Sequence, residues 1–197
     1  ADIDDATLLR HPRLAMAWPL LLAKSAARLQ AGAWMERVRQ TSGGFTDALD
    51  STTTGYDAAQ LALEAPIMGV VVGWYLDEAP PGGYAADIQA LVARADPQSD
   101  PLLAGTAGNL LCYEWECLRR HRAAWDAAEQ ALRAIDGAGF HDQELYLRLI
   151  QVGILTEEAR LPQALALARQ THARAEQACG LGSDLAAEVA SGVHHMS

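Results

Sequence analysis

The chain has 197 residues, half of them apolar and 20% charged, and a formal net charge of -10. That composition suits one folded unit with a sizeable core and excludes a disordered chain. Phosphate recognition needs clustered Lys and Arg, yet Lys24 is the only lysine, so no direct contact with nucleic acid is expected.

The elements follow from helix periodicity, with strand alternation nearly absent. A first helix opens at His11 and Pro12 and runs to Gln30 with a kink near Pro19, and a short second one covers residues 34–39. Residues 41–55, rich in Ser, Thr, Gly and Asp, read as the longest connection. A third helix over 56–77 is interrupted at Pro66 and stops before Pro80, Pro81, Gly82 and Gly83. Residues 84–95 form the next. Asp96-Pro97 and Asp100-Pro101 then give two cap-like starts, the second launching residues 102–118. Over 123–135 an apolar stripe of Ala124, Ala128, Leu132 and Ile135 is ended by Gly137 and Gly139. Helices over 143–158, 162–178 and a short 185–189 complete the chain.

A small residue stands two places before an aromatic or Leu at Gly32/Trp34, Gly82/Tyr84 and Ala159/Leu161. In stacked hairpins the small residue permits the tight turn, and the apolar residue plugs the gap between successive helices. The last two hairpins superpose at an offset of 40 residues, which places Ala164 and Ala168 on Ala124 and Ala128, Arg160 on Arg120, and Leu161 on His121. A rival offset of 36 sets Trp125 on Leu161 but misplaces the glycine turn after Ile135. The expected fold is all-α: a tetratricopeptide-like array of antiparallel helical hairpins, with about nine helices in a short right-handed superhelix. One domain covers residues 1–197.

Four stretches carry a resemblance. Thr41 to Asp47 (Thr-Ser-Gly-Gly-Phe-Thr-Asp), followed by Asp100 to Leu103 and by Asn109 to Tyr113 (Asn-Leu-Leu-Cys-Tyr), resembles the sensor region of large LuxR-family transcriptional regulators of the MalT type. The run from Gly153 to Ala168 is similar to the helical hairpins of that region. The likeness spans about Leu8 to Ala187. It departs from the family at Arg119, where the turn position tends to be Gly, and at His121, where the next position tends to be apolar.

The resemblance implies a parent protein with an N-terminal ATPase, this superhelical arm as inducer sensor, and a C-terminal DNA-binding helix-turn-helix. The missing initiator Met and the ending at Ser197 fit a piece of such a chain. Lys24 follows Leu22 and Ala23 rather than the glycines of a phosphate-binding loop, so no nucleotide or other cofactor is expected here. The partners implied are a small effector or regulatory protein and the parent's own ATPase domain. The alternative is a free-standing adaptor that docks a peptide or helix and has no transcriptional role.

In stacked hairpins the first helix of each pair lines the concave face. Spacings of three and four put Thr106, Asn109, Tyr113 and Glu116 on one stripe, opposite Leu103, Ala107, Leu110, Leu111 and Leu118, with Tyr146 as the matching position on the next hairpin. An aromatic beside amide and carboxylate groups suits a small polar ligand such as a sugar or metabolite. An ordinary solvated face shows the same stripe.

Trp18, Trp34, Trp74, Trp115 and Trp125 read as packing residues rather than a cage. His11, His121, His141 and His172 lack metal-ligand spacing. Cys112 reads as a small buried hydrophobe, and no acid-base or nucleophile pair predicts a reaction. Cys112, Cys117 and Cys179 form no CxxC pair, which fits a reducing compartment and predicts a cytoplasmic protein. Residues 65–76, the most apolar stretch, are too short for a membrane span and contain Pro66, and Asp2, Asp4 and Asp5 stand where a secretory leader needs basic residues.

Overall fold

The structure, a computed structural model, describes residues 18, 19, 21, 22, 29–37 and 58–179, and every regular element among them is helical. The expected connection over 41–55, most of the first helix and the short helix over 185–189 lie outside the described residues. Six helices are bounded: α1 (Ala58–Leu76), α2 (Ala85–Arg94), α3 (Pro101–Cys117), α4 (His121–Ala134), α5 (His141–Glu157) and α6 (Leu161–Cys179). No helix among the described residues is long and apolar enough to cross a membrane. The chain divides into two compact units, Ala1–Tyr84 and Ala85–Ser197.

In the first unit two expectations are corrected. α1 runs through Pro66 without interruption. Pro66 itself is exposed, while Ile67, Val70 and Val72 on the same helix are buried, so packing outweighs the cost of one lost helical hydrogen bond. Gly32 is not a turn residue, because residues 29–37 are one continuous helical run. A Cβ on Gly32 would stand 3.2 Å from Leu76 Cδ1, so its small size serves close packing against α1. Ala31 and Val72 form the buried centre of that contact, with Leu22, Met35, Met68 and Leu76 around them.

α1 ends at Asp77, whose φ of 59° is left-handed. Gly82 does occupy a turn, with φ 90°. Two residues on, the Tyr84 hydroxyl donates to the Glu78 carbonyl at 3.2 Å, and its ring meets Trp74 edge-on at 6.4 Å. Trp74 and Tyr84 thereby close the end of the unit through packing.

The second unit is built on the forty-residue offset. α3 and α5 are each 17 residues long and begin at 101 and 141, and α4 and α6 begin at 121 and 161. Each pair is joined by three residues, so α3 with α4 and α5 with α6 form antiparallel hairpins, and α5 also packs on α3 and α4. α2 packs on α3. The α3 start is as expected: Asp100 Oδ1 accepts the Leu103 N–H at 2.9 Å, with Pro101 in the first turn. Asp96 starts no helix; its Oδ1 takes the Gln98 N–H at 3.0 Å in a local turn.

The core repeats with the helices. Ala124 and Ala164 are fully buried, as are Ala128 and Ala168 to within 1%. Small residues at these positions let facing helices approach closely. At Gly108, likewise, a Cβ would stand 2.7 Å from Ala131 Cβ. Two apolar expectations are corrected. Leu161 is no plug between helices but 54% exposed, because it opens α6 beside the turn, and Leu118, expected on the buried face of α3, is exposed at its C-cap.

Candidate functional site

α3 and α5 are cross-linked near both ends. Near their starts, Gln143 Nε2 donates to Thr106 Oγ1 at 2.7 Å, and Thr106 donates in turn to the Leu102 carbonyl at 2.8 Å. At their other ends the carboxylate of Glu157 is held by Arg119, and its Oε2 lies 2.7 Å from His121 Nε2, off the direction of a hydrogen bond. Contacts at both ends mean that α3 and α5 lie side by side and run the same way. Their outward stripes are therefore neighbours.

On α3 the outward stripe is Leu102, Thr106, Asn109, Tyr113 and Glu116; on α5 it is Asp142, Tyr146, Leu149 and Gly153. Tyr113 and Tyr146 are each 44% exposed, and Leu102 is exposed as well. Thr106, Asn109 and Glu116 are half-buried. The described contacts bring Thr106 next to the first turns of α5, one turn before Tyr146, while Asn109, Tyr113 and Glu116 share the α3 face. At the position equivalent to Tyr113, α5 carries Gly153, and nothing lies within 4 Å of where its Cβ would be. The ring of Tyr113 thus stands on one helix where its neighbour is bare.

Ion pairs lie on α4, in the turn before α6, and between α6 and α5. Arg122 meets Asp126 at 3.0 Å, Arg160 meets Glu158 at 3.0 Å, and Arg174 meets Glu144 at 3.0 Å. Behind the face the fully buried Gln151 donates to Glu129 Oε1 at 2.6 Å and accepts from Arg148 at 3.0 Å, which ties α4 to α5 through polar groups. Cys112 is buried beneath Tyr113 on the inner side of α3, and burial, helped by the charge of Glu116, pushes its thiol up to about 12. It is protonated and inert at neutral pH. Burial also raises the thiol of Cys117, despite the opposing hydrogen bond from Tyr113.

In the sequence Arg119 and His121 stand out as departures from a repeat pattern. In the structure Arg119 pairs with Glu157 of the next hairpin, and His121 lies beside the same carboxylate. The roles of Gln143, Gln151 and Glu129 were also missed. A Gln or Glu on a helix reads as solvated surface, and nothing local says that a neighbouring helix will cover it. Among the described residues no group of three or more His, Cys, Asp or Glu is placed to hold a metal ion. The arrangement offers stacking surfaces, an amide, a hydroxyl and a carboxylate on two adjacent helices. Comparisons with protein-family models, curated proteins and solved structures return no match to this chain.

Proposed function

We propose that this chain is a binding module, the sensor arm of a MalT-like LuxR-family transcriptional regulator. In this reading α3–α6 are two units of a tetratricopeptide-like array, and a small effector or a regulatory protein is held on the shared face of α3 and α5. The single observation that carries the reading is the side-by-side placement of two equivalent helices, which puts the stripe containing Thr106, Asn109, Tyr113 and Glu116 beside that of Tyr146. A ligand bridging the two stripes would bind one relative setting of the hairpins better than another, and that difference is what shifts a two-state equilibrium. In the parent protein the shift would be read by the ATPase domain, in the cytoplasm, with no DNA contact from this piece.

A second reading is a free-standing adaptor that docks a peptide or helix. The exposed Leu102, Tyr113 and Tyr146 favour it, since apolar groups on neighbouring helices form the anchor of many such grooves. Calorimetry of the whole chain against a panel of sugars and metabolites, and against amphipathic peptides, separates the two. Binding should weaken about tenfold or more in Tyr113→Ala and in Tyr146→Ala. Unchanged affinity in both variants would remove this face from the function.

A further inference from the structure

On the side of α3 away from the stripe, α2, α3 and α4 enclose a cleft of about 220 Å³. Its deep part is made by Ala104, Gly108 and Ala131, all buried, and Val92 of α2 forms one wall. Gln130 and Arg133, both exposed and one helical turn apart on α4, stand at its mouth. The cleft therefore has an apolar interior and a polar rim with a single positive charge.

Arg133 has no carboxylate partner among the described residues. The acid four residues before it on the same helix is Glu129, the ordinary partner at this spacing. Glu129 instead points to α5, where it takes the Gln151 amide at 2.6 Å and lies 3.6 Å from Arg148. With Glu129 engaged by Gln151 and Arg148, Arg133 stands beside an apolar cavity with no carboxylate partner among the described residues. A guanidinium in that setting pairs with a planar anion through two parallel hydrogen bonds. The neighbouring Gln130 amide can add a further N–H donor.

We propose that this cleft is a binding site for a small monocarboxylate with a compact apolar body, such as an aromatic ring or a branched chain. The volume equals that of about seven waters at about 30 Å³ each, which suits a single ring and not an extended chain or a dinucleotide. The carboxylate would sit at Arg133 and Gln130, and the apolar body would displace water from Ala104, Gly108 and Ala131. The site does not depend on the stripe of α3 and α5.

Benzoate is the probe, with benzyl alcohol and benzylamine as the uncharged and cationic counterparts, measured by calorimetry and ligand-observed NMR on the whole chain. Benzoate should bind saturably, and both counterparts should bind at least about tenfold more weakly. Arg133→Gln, an exposed position, should weaken benzoate by about tenfold or more with unchanged helicity. Val92→Trp, which fills the cleft and leaves the charge in place, should abolish binding. Tyr113→Ala should leave benzoate affinity unchanged, so a failure of this site and a failure of the stripe are told apart. No saturable binding of benzoate, equal binding of benzyl alcohol, or an Arg133→Gln affinity equal to the parent's would each overturn the proposal.

Discussion

Arg119 and Ala159, forty residues apart, share one left-handed backbone setting, with φ of 58° and 57°. In both turns that residue's N–H bonds back to the helix, Arg119 to the Glu116 carbonyl at 2.8 Å and Ala159 to that of Thr156 at 3.0 Å. The next N–H reaches one residue further back, from Arg120 to Trp115 and from Arg160 to Leu155, both at 2.8 Å. This is the paired closure that glycine usually provides. Here a Cβ occupies the strained region at a cost of roughly 1–2 kcal/mol.

Ala159→Gly is therefore expected to stabilise the protein by about 1 kcal/mol, although glycine normally weakens a fold. Urea denaturation should show a higher midpoint with an unchanged slope. A lower midpoint would mean that the turn does not hold the strain assigned to it. Arg119→Gly should gain less, because it also removes the contact with Glu157.

Gly108 and Gly153 lie in equivalent helices and should respond in opposite ways. At Gly108 a methyl group would press on Ala131, whose Cα and Cβ stand 3.2 and 2.7 Å away, and neither can move without shifting α4. Gly108→Ala should cost about 1–3 kcal/mol. At Gly153 nothing lies within 4 Å, so Gly153→Ala should add roughly 0.5–1 kcal/mol through helix propensity alone. Thermal melts of the two variants should move to opposite sides of the parent.

The forty-residue repeat was legible because its marks are local. Ala124 and Ala128 recur as Ala164 and Ala168, Asp100-Pro101 announces a helix start, and Gly137 and Gly139, with φ of 71° and 78°, end a stripe. What failed depends on partners far along the chain. Gly32 looked like a turn because a glycine before Trp34 has that local meaning, and only the nearness of Leu76 makes it a packing residue. Pro66 looked like a break because its cost is local, whereas the burial of Ile67, Val70 and Val72 that offsets it is tertiary. In the candidate site, periodicity was enough to set Thr106, Asn109, Tyr113 and Glu116 on one face. It could not show that Thr106 would be bound from α5, nor that Gln151 would be buried, since both facts are set by the neighbouring helix.

Gln151 and Glu129 should prove energetically coupled. The amide is fully buried and its shortest bond, 2.6 Å, goes to the Glu129 carboxylate. Truncating the partly exposed Glu129 strands the buried Gln151 amide, and truncating Gln151 leaves a cavity where it was buried, so each variant should cost about 1–3 kcal/mol. The double variant should cost less than their sum by about 0.5–3 kcal/mol. Simple additivity in a urea double-mutant cycle would mean that the two side chains act independently.

Cys112 links the core beneath Tyr113 to pH. Its thiol is shifted from 9.0 to about 12, chiefly by burial and then by the charge of Glu116. Between those values an unfolded chain has lost the thiol proton while the folded protein keeps it. The folded state then binds more protons, so stability is complete below about pH 9 and falls as pH rises toward 12. The slope approaches about 1.4 kcal/mol per pH unit, which gives about 1.4 kcal/mol lost between about pH 8 and about pH 10. The informative quantity is the difference from Cys112→Ala, which isolates the contribution of this one thiol. That variant should start less stable at about pH 8, because it leaves a small cavity, yet lose about 1.4 kcal/mol less on going to about pH 10. Parallel stability curves for the two proteins would show that the thiol at position 112 is not held protonated by the fold, and with it that the inner side of α3 is open to water.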